Sequence, residues 1–214
     1  MPIELKICGI NSESVIETIV KNGGCQYLGF VFYPPSPRNI SIEQSKKLTL
    51  MVPATIKKVA VLVKPENNFV EKIKNQFDYF QIYDSSPSEI KKIKLISNKK
   101  IIQAIKVKKK EDVNLYKDYI GIADEFLFDS SGMEKSFAFD WDYLKNLELE
   151  SWFLAGGINI NNLNHAQSIT KKIDISSGLE DNPGKKSIQK ILDFLIKIKN
   201  YDENKKKYTF NRPT

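Results

Sequence analysis

The stretch VAVLVKPENNFVEKIKNQFDYFQIY, residues 59–83, contains two short, mainly apolar runs separated by one amphipathic segment. The runs VAVLV (59–63) and YFQIY (79–83) lack the strict polar alternation of a half-exposed strand, which is typical of strands that are buried on both faces. The segment between them, residues 66–76, has apolar residues at helical spacing. A buried strand, a helix and a second buried strand predict a right-handed crossover between parallel strands.

The same unit recurs along the chain. Further apolar runs, each followed by a segment with a helical pattern, are LKIC (5–8), YLGFVF (27–32), IIQAI (101–105), EFLFD (125–129), WFLA (152–155) and KIDI (172–175). Eight strand–helix units in succession predict a single-domain (β/α)8 TIM barrel over residues 1–200. An open doubly wound sheet is the alternative, but no Gly-x-Gly-x-x-Gly follows the first run. The last helix is expected to end near residue 199, and residues 201–214 then predict a basic, exposed C-terminal extension.

The net charge of +7, from 33 basic and 26 acidic residues in a chain of 214, is concentrated in one segment. Residues 90–110 contain nine lysines and no acidic residue. Because no aromatic residue interleaves with these lysines, and arginine occurs only at Arg38 and Arg212, we predict no nucleic-acid partner. A solvated lysine face is the simpler interpretation. Lys106 and residues 108–110 follow the fifth strand, and we hypothesise that they steer an anionic substrate.

Other features exclude several classes of protein. The apolar runs are much shorter than the roughly 18 residues that a membrane span needs, and the first residues do not resemble a secretory signal. We therefore expect a cytoplasmic protein without a membrane partner. Two cysteines and one histidine are too few for a disulfide scaffold or for common zinc sites, so no metal is expected.

In a (β/α)8 barrel the active site lies at the carboxyl ends of the strands. Cys8 ends the first run, and it is either a buried apolar side chain or a thiolate base. Asp129 ends the sixth run, and it either caps the next segment or acts as a general acid. The glycine- and serine-rich endings of the last two runs favour phosphate binding over the alternative, in which these glycines only make tight strand-to-helix turns. These endings contain Gly156, Gly157, Ser176, Ser177 and Gly178. Arg38, which follows the second run, is suited to bind a second anionic group.

Four segments together resemble the phosphoribosylanthranilate isomerase family: KICGI (6–10), GFVFYPPSPRNIS (29–41), AGGI (155–158) and DISSGLEDNPGKKS (174–187). The resemblance implies a (β/α)8 barrel of tryptophan biosynthesis that acts without metal or cofactor. It implies Cys8 as general base, Asp129 as general acid, and Arg38 as the contact for the anthranilate part of the substrate. The expected partner is a small molecule with a phosphate and a carboxylate, and the protein is expected to be a monomer or a homodimer.

The sequence departs from the family pattern in two places. The family usually shows Gln-Leu-His-Gly at the end of the fourth strand, where this chain has Gln81-Ile82-Tyr83-Asp84. Gln81 is retained as a predicted substrate-binding residue, whereas a tyrosine replaces the histidine. The loop after the sixth strand, residues 130–137, is shorter and poorer in glycine than the family's loop. These departures leave open an alternative function, a phosphometabolite-binding barrel with reduced or lost isomerase activity.

Overall fold

The computed structural model describes residues 2–130 and 139–210. Its sheet is a closed barrel in which each strand pairs in parallel with the next along the chain and the eighth pairs with the first. The predicted TIM barrel is therefore confirmed. The strands are β1 (Glu4–Cys8), β2 (Tyr27–Phe32), β3 (Lys57–Val63), β4 (Tyr79–Tyr83), β5 (Lys100–Val107), β6 (Glu125–Ser130), β7 (Phe153–Leu154) and β8 (Lys172–Ile175).

Helices surround this sheet in the order expected for the fold. The α-helices are α1 (Glu13–Asn22), α2 (Ile42–Leu50), α3 (Asn67–Ile73), α4 (Pro87–Ser97), α5 (Leu163–Ile169) and α6 (Ile188–Phe210). The segments after β5 and β6, predicted as helical, form 3-10 helices at Lys110–Tyr119 and Trp141–Leu144. Two further 3-10 turns lie at Lys74–Gln76 and Ser177–Leu179, and a small hairpin joins β9 (Glu180–Asn182) to β10 (Lys185–Lys186).

The start of α4 illustrates how local sequence sets a helix boundary. The Ser86 side chain accepts a hydrogen bond from the backbone of Glu89, and the Glu89 carboxylate accepts one from the backbone of Ser86. This reciprocal capping box satisfies two helix N–H groups, and Pro87 occupies the first helical position, where its missing N–H costs nothing.

Alternate strand residues build two apolar layers. On β1, Leu5 and Ile7 point outward and pack beneath the helices, while Cys8 faces the barrel interior with side chains from the other strands. At the amino end of the barrel, Lys172 forms ion pairs with Glu125 at 2.7 Å and with Glu4 at 3.6 Å. Side chains therefore fill the barrel interior, as in other barrels of this class.

The final helix extends beyond its expected end. α6 continues to Phe210 and so includes the first ten residues of the predicted extension.

Within residues 2–130 and 139–210, none of the helices combines the length and the apolar character needed to cross a membrane.

Candidate active site

A cleft opens at the carboxyl ends of the strands and brings together most of the predicted site residues. Its lining includes Cys8, Arg38, Asp129, Gly156, Gly157, Ser176 and Ser177. Two other predicted residues, Gln81 and Gly178, lie outside this lining but within the described part of the chain. Strands that are far apart in sequence therefore place a thiol, a carboxyl group and a guanidinium around one opening.

Cys8 lies at the end of β1 and is 7% exposed. Burial raises the pKa of its thiol, and the positive charges of Lys6, Lys186 and Arg38 oppose that increase. Space for the sulfur depends on Gly29 of β2, which pairs in register with Cys8 of β1. A Cβ atom at position 29 would lie 2.8 Å from Cys8 Sγ and 3.1 Å from Lys6 Nζ. The thiol thus occupies a tight, cation-lined position.

Lys6 precedes Cys8 by two residues on the same inward face, and its side chain is fully buried. Its Nζ donates a hydrogen bond to Asp174 Oδ2 on β8 at 2.9 Å. Burial by itself lowers the pKa of Lys6, but the charges of Asp174 and Cys8 outweigh that effect and raise the pKa. Lys6 therefore remains charged beneath the thiol, where it favours the thiolate.

Asp129 is the penultimate residue of β6 and is partly buried at the edge of the cleft. Its Oδ2 accepts a hydrogen bond from the Tyr83 hydroxyl at 2.9 Å, and its Oδ1 accepts one from the Ser130 backbone at 2.7 Å. Burial raises the pKa of Asp129 to about 6, although both hydrogen bonds oppose the increase. A carboxyl group with this pKa can donate or accept a proton near neutral pH.

Arg38 is held by a partner that sequence reasoning missed. Its Nε and Nη2 donate to the two oxygens of Glu180, each at 2.7 Å. Lys186 Nζ donates to the same carboxylate at 2.7 Å and to the backbone oxygen of Ser176 at 3.0 Å. This bidentate pairing uses two of the five N–H donors of the guanidinium and fixes its orientation at the rim of the cleft.

The loops after β7 and β8 pack closely against each other. Ser176 Oγ donates to the backbone oxygen of Cys8 at 3.1 Å, which ties the loop after β8 to the end of β1. Gly178 has no space for a side chain, because a Cβ there would collide with the backbone oxygen of Ile158. Close packing between the two loops therefore explains why a glycine occupies position 178. The residues of these loops that line the cleft are Gly156, Gly157, Ser176 and Ser177.

Comparisons with known proteins identify relatives of this chain. A family model described as N-(5'-phosphoribosyl)anthranilate (PRA) isomerase matches residues 5–197. The chain belongs to the phosphoribosylanthranilate isomerase family. An N-(5'-phosphoribosyl)anthranilate isomerase from Zymomonas mobilis subsp. mobilis is 34% identical over 212 residues, which cover 93% of this chain and 99% of the relative. A relative of the same name from Rhodopseudomonas palustris is also 34% identical, with coverage of 89% and 95%.

Solved members of the isomerase family have the same barrel. The phosphoribosylanthranilate isomerase of Thermotoga maritima superposes with a TM-score of 0.83 at 27% identity, covering 92% of this chain and 99% of that one. A second structure, of an isomerase in complex with reduced 1-(o-carboxyphenylamino)-1-deoxyribulose 5-phosphate, gives a TM-score of 0.77 at 27% identity, with the same coverage.

The two residues that depart from the family pattern at the end of β4 each have a side-chain partner. Tyr83 is buried and bonds to Asp129, and Gln81 Nε2 donates to the Tyr83 hydroxyl at 3.1 Å. Asp84 is exposed, and its Oδ2 lies 2.5 Å from Lys106 Nζ. The negative charge of Asp84 is therefore paired with a lysine outside the cleft lining. The second departure, residues 131–137, lies outside the described residues.

Several charged residues that pack around the cleft have no role assigned from the sequence. Lys6, Asp174, Glu180 and Lys186 all lie inside the quoted motifs, and each is a charged residue that the barrel buries. For Lys6 and Asp174 the sequence did contain a signal, namely a charged residue at an inward position of the otherwise apolar runs LKIC and KIDI. Outside the cleft, His165 lies 3.5 Å from Asp142, and the described residues contain no group of three or more His, Cys, Asp or Glu side chains arranged to bind a metal.

Proposed function

We propose that this chain catalyses the Amadori rearrangement of N-(5-phosphoribosyl)anthranilate to 1-(2-carboxyphenylamino)-1-deoxyribulose 5-phosphate in tryptophan biosynthesis. The observation that carries the proposal is the presence of Cys8 and Asp129 on one cleft, beside two loops suited to phosphate. One group can supply a proton and the other can remove one. The named activity of the relatives agrees with this chemistry.

The two charged ends of the substrate would orient it in the cleft. Backbone and hydroxyl groups of Gly156, Gly157, Ser176 and Ser177 would hold the phosphate, since such loops present donors to anionic oxygens. Arg38, already oriented by Glu180, would use its remaining donors for the anthranilate carboxylate. Gln81 would act through Tyr83. Binding at both ends places the sugar between acid and base, and this positioning contributes to catalysis.

Asp129 would act first. Its protonated carboxyl group donates a proton to the ribose ring oxygen, and the bond between that oxygen and C1′ breaks as the nitrogen lone pair forms a Schiff base. The pKa of about 6 leaves roughly one molecule in ten protonated at pH 7. The resulting carboxylate is stabilised by hydrogen bonds from Tyr83 and Ser130.

Cys8 would act second. Its thiolate removes the C2′ proton, the electrons of that bond move toward the iminium nitrogen, and an enolamine forms. The enolamine then tautomerises to the ketone by gaining a proton at C1′ and losing one from the C2′ hydroxyl. Lys6 supplies the nearby positive charge that favours the thiolate. General acid and general base steps of this kind contribute about 10²–10⁴-fold each.

The test is the loss of phosphoribosylanthranilate fluorescence with purified protein. We expect turnover by the unmodified chain and a fall of about 10²–10⁴-fold in Cys8→Ser and in Asp129→Asn. Cys25→Ser is the matched control, because Cys25 is buried and lies outside the cleft lining, and it should retain activity. Full activity in both site variants would contradict the mechanism. Retained binding of the reduced product analogue without turnover would support the non-catalytic alternative.

The same proposal includes location and assembly. Cys8 and Cys25 are free thiols, which suits a reducing compartment, and we place the enzyme in the cytoplasm. The chain would act as a monomer or a homodimer, since one solved relative from Thermotoga maritima is described as dimeric. Light scattering of the purified protein distinguishes the two states.

A further inference from the structure

A hydrogen-bonded chain of three side chains links two neighbouring positions of β4 to Asp129. Gln81 Nε2 donates to the Tyr83 hydroxyl at 3.1 Å, and that hydroxyl donates to Asp129 Oδ2 at 2.9 Å. Gln81 and Tyr83 are two residues apart, so both point into the barrel. Both are buried, with exposures of 1% and 4%.

Hydrogen bonds hold both oxygens of the Asp129 carboxyl group. Asp129 Oδ1 is occupied by the Ser130 backbone N–H at 2.7 Å, and Oδ2 is occupied by Tyr83. The family pattern has histidine at the position of Tyr83. A phenol places its donor farther from the backbone than an imidazole does, and here it reaches the adjacent carboxyl group. The substitution therefore joins the fourth strand directly to the proposed acid.

We propose that Tyr83 is a positioning residue for Asp129, whose hydroxyl orients the carboxyl group and stabilises the carboxylate formed when the proton leaves. This inference rests on the proposed role of Asp129 as general acid. The proton passes from Asp129 to the ring oxygen of the substrate, and Tyr83 keeps its own proton throughout. Burial, together with the charge of Asp129, raises the pKa of Tyr83 well above its ordinary value, so the phenol remains a donor.

Other groups that act on Asp129 are accounted for among the described residues. Asp174 on β8 adds a negative charge that raises the pKa of Asp129. Arg38 is electrostatically coupled to Asp129 from the loop after β2. Lys106 is paired in register with Asp129 on the adjacent β5, but its amine lies on Asp84. Among the described residues of the other strands, Tyr83 is therefore the one whose side chain donates a hydrogen bond to the Asp129 carboxyl group.

The test is Tyr83→Phe, which removes the hydroxyl and keeps the ring. Because the hydrogen bond favours the carboxylate, its loss should raise the pKa of Asp129. At pH values where Asp129 is protonated in both proteins we expect kcat/KM to fall about tenfold, and we expect the limb of the pH profile near pH 6 to move up by about one pH unit. The substrate phosphate ionises identically in assays of the unmodified chain and of Tyr83→Phe. A difference between the two pH profiles therefore comes from a group of the enzyme.

Tyr79→Phe is the matched control, since Tyr79 faces inward on the same strand at the amino end of the barrel. It removes a hydroxyl without contact to Asp129 and should leave the pH profile unchanged. Carbon-13 NMR titration of the Asp129 carboxyl group, assigned with Asp129→Asn, gives a second measurement that does not depend on turnover.

The outcomes separate the inference from the proposed function. An unchanged titration of Asp129 in Tyr83→Phe, or a lower rate with an unmoved pH limb, would overturn the positioning role. Wild-type rates in Asp129→Asn would instead overturn the proposed acid. A shifted titration and a shifted rate limb together support the role of Tyr83.

Discussion

Lys6 Nζ and Asp174 Oδ2 lie 2.9 Å apart inside the barrel, with the two side chains 0% and 6% exposed. This ion pair joins β1 to β8, the two strands that close the barrel. Its position next to the thiol means that one contact serves both the fold and the reactivity of Cys8. Buried pairs of this kind add little net stability when intact, but they are costly to break.

Replacing the lysine should separate these two effects. We predict that Lys6→Met lowers the free energy of unfolding by about 3–5 kcal/mol, because Asp174 would be left buried without its partner. It should also raise the pKa of Cys8, since the cation that favours the thiolate is gone. Denaturant unfolding measures the first effect, and the pH dependence of Cys8 alkylation in a Cys25→Ser background measures the second.

A double variant provides the control for this prediction. Lys6→Met combined with Asp174→Leu leaves no unpaired buried charge and should recover most of the lost stability. A single Lys6→Met variant as stable as its parent would show that the pair contributes little to the fold.

Gly29 is predicted to be essential for the placement of the thiol. A Cβ at this position would lie 2.8 Å from Cys8 Sγ. Gly29→Ala should therefore displace the sulfur and lower kcat by about 10- to 100-fold, with a loss of about 1–3 kcal/mol of stability from overpacking. Gly23→Ala is the control for activity: its Cβ would meet no atom within 4 Å, but the φ of 63° strains an alanine, so this variant should lose stability and keep its activity. Equal activity losses in the two variants would contradict the steric explanation.

The stability of the chain should fall in acid partly through Glu180. Burial by itself raises the pKa of this carboxyl group, but Arg38 and Lys186 outweigh that effect and lower it from 4.5 to about 2. A carboxyl group with a depressed pKa contributes stability that is present above about pH 4.5 and is lost as the pH falls toward 2. We expect Glu180→Gln to remove about 3 kcal/mol at pH 7 and to weaken the acid dependence in this window.

The same variant should also affect substrate binding. Without Glu180, Arg38 loses its bidentate partner, so KM should rise more than kcat falls. Thermal unfolding at several pH values and steady-state kinetics measure the two effects. Asp181→Asn, at the exposed neighbouring position, is the control and should leave KM unchanged.

Asp84 is predicted to weaken long-range attraction of an anionic substrate. It pairs with Lys106 at 2.5 Å, so Asp84→Asn would leave a net positive charge near the cleft. We expect kcat/KM to rise about two- to threefold at low ionic strength and to converge with the parent at high salt. Asparagine tolerates the left-handed backbone at this position, φ 58°. Asp193→Asn on α6 is the control, and equal values for Asp84→Asn and its parent at every salt concentration would refute the steering role.

The strands were predictable because both of their faces are buried. The run YFQIY coincides with β4 at Tyr79–Tyr83, since a strand covered on each side needs mainly apolar residues. Helical segments were less well determined. Residues 110–119 have a helical pattern but form a 3-10 helix, and α6 continues beyond its expected end because the loss of apolar periodicity does not itself stop a helix.

The order and shared direction of the strands were enough to predict where most of the candidate site lies. In a closed parallel barrel the carboxyl ends of all strands meet at one face, so Cys8, Asp129 and the two glycine-rich loops could be assigned to one opening before any distance was known. The sequence also contained each charged residue that surrounds them.

Only the tertiary structure decided which of these charges meet. Lys6 and Asp174 are 168 residues apart, Arg38 and Glu180 are 142 apart, and Tyr83 and Asp129 are 46 apart. Each pairing depends on which strands or loops are neighbours, on the direction of each side chain and on the space left by residues such as Gly29. The sequence by itself determined a (β/α)8 barrel with Cys8 and Asp129 at one end, because burial pattern and strand direction are local properties. The partners that tune those groups were determined by packing across the barrel, which no local pattern encodes.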